Sequence, residues 1–258
     1  MYQEISQLLM YGDLEEDSIL AQMGELFGKY ETGEYNKTGL VRDINTQVKR
    51  ILKVATDYGF DDNLWHNYLT FFLMMSENPF SMTCEKVGAS DGSVNALVEN
   101  DFRIFKALFD YDFEPIEKDL GINCFSQISN YKAIHKKDLM YNKNVSEKVR
   151  SLSKKLEAAK DEKEFFDAVT GFYKDYGVGM FGLNKAFRID DTPQGSFTFR
   201  AINNMDTVML DDLVGYEIQK QKLVENTEAF VEGRKANNVL LFGDSGTGKS
   251  TSIKAIVN

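Results

Sequence analysis

The residues best suited to chemistry are the eight from 243 to 250, which read Gly-Asp-Ser-Gly-Thr-Gly-Lys-Ser. They match in full the pattern Gly-x-x-x-x-Gly-Lys-Ser/Thr of phosphate-binding loops. Glycines allow the chain to curl tightly, so that successive backbone N–H groups point inward and form a nest for an anion. The spacing therefore predicts a site for a polyanion such as a nucleotide phosphate chain.

Two side chains of this segment have specific expected tasks. Lys249 would place its ammonium against the outer phosphates, and Ser250 would offer its hydroxyl to Mg²⁺. A glycine-rich turn that binds nothing would explain the glycines, but not the lysine and the serine at their required places. The residues predicted to bind the cofactor here are Gly243, Asp244, Ser245, Gly246, Thr247, Gly248, Lys249, Ser250 and Thr251, with Ser250 as the predicted metal ligand.

The flanking sequence predicts the elements that would hold this loop. Val239-Leu240-Leu241-Phe242 is a continuous apolar run, typical of a parallel strand buried on both faces. Residues Ser250 to Val257 predict a helix after the loop, and Tyr216 to Glu232 predict a helix before the strand. The sequence thus predicts the order helix, strand, loop, helix.

The region before residue 190 reads as mostly helical. Apolar residues recur at helical spacing within Ile19–Tyr30 and Leu40–Ala55, and Gly59 is suited to end the second of these helices. Pro79 disfavours helical geometry at the residue before it and so predicts a helix exit. Helices are also predicted over 62–77, 146–160 and 162–176. A further predicted helix is capped by Ser93 and contains Phe109.

Aromatic residues at helical spacing predict core packing between these helices. A ligand box is the alternative, but the helical period favours the core. The residues concerned are Phe71, Phe72, Phe102, Phe105, Phe165, Phe166 and Phe172.

A change of pattern after Tyr176 predicts a domain boundary. Glycines break the helix, turn-forming residues follow from Asp190 to Ser196, and Phe197-Thr198-Phe199 predicts a short strand. We therefore expect a helical domain over 1–190, a linker over 191–212, and the start of a nucleotide-binding α/β module over 213–258.

Two further motifs are similar to known ligand-binding patterns. Gly177-x-Gly179-x-x-Gly182 has the spacing of a dinucleotide-binding fingerprint, but it follows a helix signal and no βαβ unit surrounds it, so a turn is the better interpretation. Val208 to Asp212 resembles the apolar strand and acid that hold Mg²⁺ in phosphate-loop proteins. We discount it because the same acids fit a different role, given below.

Composition argues against several classes of function. The formal net charge of -10 disfavours general nucleic-acid binding, whose affinity comes mainly from neutralising phosphates. Cys84, Cys124, His66 and His135 are too scattered for a structural zinc site. The start has no signal-peptide pattern and no apolar run is long enough to cross a bilayer, so we expect a cytoplasmic protein without a membrane partner.

The segment ahead of the predicted helix carries a family resemblance. Asp211-Asp212-Leu213-Val214-Gly215-Tyr216-Glu217 resembles the opening of AAA-type ATPase modules, and Gly246-Thr247-Gly248-Lys249 is similar to their phosphate loop. Leu223 to Gly233 and Ala236 to Leu241 look like a family of uncharacterised bacterial AAA-type ATP-binding proteins, catalogued only as a domain of unknown function. The resemblance is specific over 211–258 and weak before that.

The resemblance implies a function and its limits. Leu213, Val214 and Gly215 would contact the adenine of ATP, and the loop would hold the phosphates with Mg²⁺. The parent protein would hydrolyse ATP, with a homo-oligomeric ring as one possible assembly and the helical domain recognising a protein partner or regulating the ring. The acidic strand, sensor, arginine finger and lid of such modules cannot lie in the eight residues after Ser250. We therefore expect a truncated chain with no catalytic residue of its own, which does not hydrolyse ATP.

Two other functions stay open at this point. In the first, the helical region is an interaction module and the glycine loop is inert. In the second, the loop belongs to a kinase or a GTPase, against which the Asp-Leu-Val-Gly segment counts. Nucleotide binding distinguishes the first, and competition between ATP and GTP distinguishes the second.

Overall fold

The computed structural model describes residues 1–89, 92–134, 142–192, 195–203 and 208–257. The chain divides into two compact units, Met1–Asn203 and Asn204–Asn258. The predicted linker, 191–212, spans this division, and its residues 193–194 and 204–207 lie outside the described residues. His135, one of the two histidines considered as metal ligands, also lies outside them.

The first unit is mainly helical, as predicted. A two-stranded antiparallel hairpin follows the helices, and it confirms the strand predicted at Phe197–Phe199. The elements are α1 (Tyr2–Ile5), α2 (Ile19–Thr32), α3 (Lys37–Tyr58), α4 (Leu64–Met75), α5 (Pro79–Val87), α6 (Ser93–Phe109), α7 (Glu114–Leu120), α8 (Cys124–Ser129), α9 (Lys143–Ala158), α10 (Glu162–Tyr176), α11 (Gly179–Leu183), β1 (Phe187–Asp191) and β2 (Phe197–Ala201).

Helix ends follow the local chemistry of the sequence. The Ser18 hydroxyl accepts a hydrogen bond from Ala21 N at the start of α2, and Asn36 accepts one from Gly39 N at the start of α3. Gly59 ends α3 with a φ of 71°, as predicted. These caps satisfy backbone groups that the helix itself leaves unpaired.

The helix exit predicted from Pro79 is confirmed, because α4 ends at Met75 and Asn78 is extended. Pro79 is also the first residue of α5, a helix that the sequence analysis missed. Asn78 caps α5 by accepting hydrogen bonds from Phe80 N and Ser81 N. Ser93 is the first residue of α6 and not its cap, since Gly92 holds that position without a side-chain bond.

The aromatic residues form the core of the first unit, as predicted. Phe102, Phe105 and Phe165 are fully buried, and Phe102 meets Phe166 edge to face at 5.6 Å between ring centroids. Phe71, Phe72 and Phe166 are partly buried against the same cluster. The phenylalanines therefore stabilise the helical packing, and Phe102 and Phe166 also line a surface cavity of about 750 Å³.

A buried carboxylate ties the N-terminal segment to this core. The Asp101 side chain has no exposed surface. It accepts hydrogen bonds from the backbone N–H groups of Leu9 (2.9 Å), Met10 (2.7 Å) and Tyr11 (3.0 Å). A buried charge is tolerated when several donors surround it, so these three amides hold α6 against residues 9–11.

His66 is a buried titratable group whose protonation couples stability to pH. Its Nε2 lies 2.8 Å from the carbonyl oxygen of Phe109, which can only accept, so Nε2 carries the proton of the neutral ring. Nδ1 is buried without a hydrogen-bond partner among the described residues, 3.7 Å from a Glu157 oxygen. Burial lowers the pKa of His66 below 6.5, although the Phe109 carbonyl, Glu157 and Asp110 oppose this effect and Lys106 adds to it.

We expect His66 to destabilise the fold in mild acid. Because its folded pKa is depressed, the unfolded chain binds the proton more readily, so the free energy of unfolding falls as the pH drops below about 6.5. One such group contributes a slope of at most about 1.4 kcal/mol per pH unit. Urea unfolding at pH 7.5 and pH 5.5 measures it. His66→Gln keeps a donor for the Phe109 carbonyl, so it should remove the part of the pH dependence of the free energy of unfolding that His66 causes. The same pH dependence in both proteins would contradict this role.

The second unit, residues 204–258, is small and weakly buried. It contains a short 3₁₀ helix, Leu210–Asp212, followed by α12 (Glu217–Val231) and α13 (Lys249–Ala255). Both predicted helices are confirmed to within two residues. Of its described apolar residues, Leu223, Ala229 and Ala255 are buried.

The strand predicted at Val239–Phe242 is wrong. The segment is irregular, and no strand in the described part of the chain pairs with it. Leu240 is 82% exposed and Phe242 is 87% exposed. A strand needs a neighbour to complete its ladder of hydrogen bonds, so an apolar run alone does not make one.

No helix over the described residues is long and apolar enough to cross a membrane. Within the same residues, no group of three or more histidine, cysteine, aspartate or glutamate side chains could hold a metal ion.

Candidate functional site

The glycine loop, which we define as residues 243–248, connects the irregular segment 239–242 to α13. Gly246 and Gly248 each have a φ of 79°, and Gly243 has a φ of 146°. Residues with a Cβ rarely adopt these values. A Cβ on Gly248 would also lie 3.3 Å from Leu213 Cδ2, so glycine allows the loop to approach the 213–215 segment closely.

The backbone N–H groups around this loop make no close internal hydrogen bond. Within the described residues, none of the amides from 244 to 251 donates a hydrogen bond of ordinary geometry, although 245–246 form a turn. The first amide in this part of the chain that does so belongs to Ser252, which donates to the Gly248 carbonyl at 2.8 Å. A series of unpaired amides in a glycine curl is the arrangement that binds anions.

The Lys249 side chain folds over the start of the loop. Its ammonium donates to the carbonyl oxygens of Gly243 (2.9 Å) and Asp244 (2.5 Å) and to Thr247 Oγ1 (3.2 Å). The Thr247 hydroxyl in turn donates to the Asp244 carbonyl at 2.8 Å. Among the described residues, no carboxylate forms an ion pair with Lys249. Its positive charge is therefore met only by carbonyl and hydroxyl dipoles.

A cavity of about 470 Å³ brings two separated predicted segments together. One wall is the glycine loop with Lys249, and the other is the 213–215 segment with the start of α12. The predicted residues that line it are Leu213, Val214, Gly215, Gly243, Gly246, Thr247, Gly248 and Lys249. The predicted residues Asp244, Ser245, Ser250 and Thr251 are not part of its wall.

The start of α12 also lines the cavity, and the sequence analysis missed it. Gln219, Lys220 and Leu223 of α12 are in the wall, and Tyr216 precedes the helix with a φ of 58°. Gln219 and Leu223 are four residues apart and share one helix face, which could have identified them. The other lining residues are Leu240, Leu241, Phe242 and Ser252. The Lys220 ammonium donates to the Leu213 carbonyl at 2.8 Å and pairs with Glu217 at 3.0 Å, so Lys220 positions the 213–215 segment.

Residues 183–258 match the protein family described as "Protein of unknown function (DUF815)". The matched stretch includes the hairpin, α12, the glycine loop and α13, and it covers less than a third of the chain. No curated protein matches the chain significantly, and no solved structure does. The chain is thus similar in its last third to a family whose description gives no activity.

The two competing motifs have structural roles. Asp212 accepts a hydrogen bond from Met209 N at 2.8 Å within a 3₁₀ turn, so the Val208–Asp212 segment is not a strand that ends in a metal-binding acid. The amide of Val178, inside the Gly177–Gly182 motif, donates to Glu85 at 3.2 Å. A Cβ on Gly179 would lie 1.9 Å from a Glu77 oxygen. Carboxylates of the chain itself therefore occupy this second glycine loop, and their charge would repel a pyrophosphate.

Proposed function

We propose that this chain binds ATP with Mg²⁺ in the cavity between the glycine loop and the 213–215 segment, as an ATP-binding protein of the AAA type. The observation that carries the proposal is that Lys249, whose ammonium pairs with no carboxylate among the described residues, lines the same cavity as the glycine loop and the 213–215 segment. Donors of this kind are the groups that hold a polyphosphate.

In this proposal each wall has a separate task. The loop amides would donate to phosphate oxygens, and Lys249 would exchange the carbonyls of Gly243 and Asp244 for the more strongly accepting phosphate. The Ser250 hydroxyl, exposed beside Lys249, would be the protein's ligand to Mg²⁺, which screens the phosphate charge. Val214 is 94% exposed, so a base lying over it would cover apolar surface.

The proposal is that the chain binds ATP, and it does not include hydrolysis of ATP. We also propose that the helical region recognises a protein partner or regulates the ATP-binding part, and that the protein is located in the cytoplasm. Ser250 does not line the cavity, so Mg²⁺ would be held at its margin, with the Ser250 hydroxyl as one ligand and waters and phosphate oxygens as the others.

A second candidate function is a helical interaction module whose glycine loop is inert. One observation favours it, because Lys249 already makes three contacts within the loop. Those contacts are with neutral acceptors, whereas a phosphate would offer charge-assisted hydrogen bonds, which are roughly twice as strong. We therefore favour the nucleotide-binding function.

Competition calorimetry tests the proposed function. Mg·ATP titrated into the chain should bind saturably at one site. GTP should compete about tenfold more weakly or worse, because a site that fits adenine would leave guanine's polar edge without partners. Heat equal to that of dilution would favour the inert-loop alternative. Tighter binding of GTP would instead favour a GTPase-type site.

A further inference from the structure

The hairpin of the first unit carries a contiguous apolar surface that its own fold leaves open. We define the aromatic face as Phe181, Phe187, Ile189, Phe197 and Phe199. The Phe181 ring lies 4.9 Å from Phe187 and 5.4 Å from Phe199 between centroids. Ile189 is 66% exposed and Phe197 is 60% exposed. Contiguous exposed apolar residues of this kind mark an interaction site.

The hairpin also offers hydrogen-bonding groups along its outer edge. Ile202 N donates to the Ala186 carbonyl at 2.9 Å, so residues 186, 188 and 190 bond across the hairpin. By alternation, the N–H and C=O groups of Phe187, Ile189 and Asp191 point outward from β1. The hairpin is a two-stranded sheet over the described residues, and no third strand pairs with this edge.

The face opposite the aromatic face has an excess of positive charge. Arg188 and Arg200 lie directly across from each other, an arrangement that like charges make unfavourable. Asp190 pairs with Arg200 at 2.6 Å, but within the described residues no carboxylate pairs with Arg188. An acidic side chain added beside β1 would therefore relieve this repulsion.

Two lysines extend the positive charge at the base of the hairpin. The Lys148 ammonium donates to the Gly182 carbonyl at 2.9 Å and lies 4.7 Å from the ring centre of Tyr176. Burial and the neighbouring charge of Lys185 lower the pKa of Lys148. Among the described residues neither lysine forms an ion pair with a carboxylate, so an acidic partner would be attracted to this end as well.

We propose that the outer edge of β1 binds an extended segment of another protein in which apolar and acidic residues alternate. Added as a third strand, such a segment places its apolar side chains on the aromatic face. Its acidic side chains then lie on the face of Arg188, because successive side chains of a strand point to opposite sides. Strand addition to a sheet edge is an established mode of peptide recognition.

Fluorescence anisotropy on the full chain tests this proposal with a labelled peptide of about eight residues that alternates valine and aspartate. Binding should be saturable, and a peptide that alternates valine and lysine should bind about tenfold more weakly. Arg188→Glu should reverse this preference. The variant is expected to fold because a glutamate at 188 faces Arg200 favourably.

A second measurement separates strand addition from charge attraction without changing the protein. Methylating alternate backbone nitrogens of the aspartate peptide removes its ladder donors while its charge remains, so its affinity should fall about tenfold. Equal binding of the methylated and unmethylated peptides would overturn the proposal. Binding of phosphatidylglycerol vesicles without binding of the peptide would also overturn it, in favour of a lipid surface.

Discussion

Replacing Lys249 with alanine should weaken Mg·ATP binding about tenfold to a hundredfold. Of the two lysines in the cavity wall, Lys220 pairs with Glu217 whereas Lys249 pairs with no carboxylate among the described residues, and the hydrogen bond of a charged group contributes about 1.5–3 kcal/mol. Alanine leaves the loop amides in place, so weak residual binding to the glycine curl should persist. Isothermal calorimetry at constant ionic strength measures the change, since screening by salt alters such contacts.

Lys222→Ala is the matched control for this prediction. Lys222 lies exposed on α12 and does not line the cavity, although it carries the same charge. Its removal should leave the affinity for Mg·ATP within about twofold of the unchanged chain. If both variants bind equally, or if Lys249→Ala binds as tightly as the unchanged chain, the ammonium has no part in holding the phosphates.

Asp101→Ala should destabilise the first unit by about 3–5 kcal/mol, a range typical of breaking a buried charged network. The substitution removes the acceptor for the backbone amides of Leu9, Met10 and Tyr11, and leaves the buried amide of Tyr11 without this partner. It also opens space beside α6. Urea unfolding followed by the fluorescence of Trp65, the single tryptophan and a buried residue of this unit, measures the change.

Two further variants define what the carboxylate does. Asp101→Asn keeps one acceptor oxygen but turns an amide donor toward the backbone donors. The loss in the free energy of unfolding should therefore lie between zero and the loss caused by Asp101→Ala. Asp57→Ala removes an exposed carboxylate that pairs with Lys53 at 2.8 Å, and it should change the free energy of unfolding far less. Similar losses in the free energy of unfolding from Asp57→Ala and Asp101→Ala would show that the buried Asp101 carboxylate stabilises the fold no more than an exposed one.

The sequence predicted those parts of the fold whose signals are local. The bounds of α10 are those predicted, because Asp161 caps its start and Gly177 ends it within a few residues of chain. The exit predicted from Pro79 is confirmed, but proline is also common in the first turn of a helix, and the start of α5 at Pro79 was missed. Local patterns thus predicted where one helix ends, but not that the next begins at the proline itself.

Features that depend on distant contacts were not predictable. Asp101 meets residues about ninety positions earlier in the chain, and no periodic pattern marks it as buried. The apolar run Val239–Phe242 has the composition of a buried strand, but pairing depends on neighbours that its own residues do not specify. At the candidate site, the motif identified the glycine loop. It could not identify Tyr216 and Gln219 as cavity-lining residues, because that depends on the orientation of the start of α12 toward the cavity.

The most direct test of the nucleotide-binding account is the amide spectrum of the ¹⁵N-labelled chain during a titration with Mg·ATP. The account predicts saturable shifts of the amide signals of residues 244–251, with the largest at Gly246, Gly248 and Lys249, because their N–H groups acquire phosphate acceptors. Amide signals that stay unchanged at saturating Mg·ATP in the folded chain would contradict it.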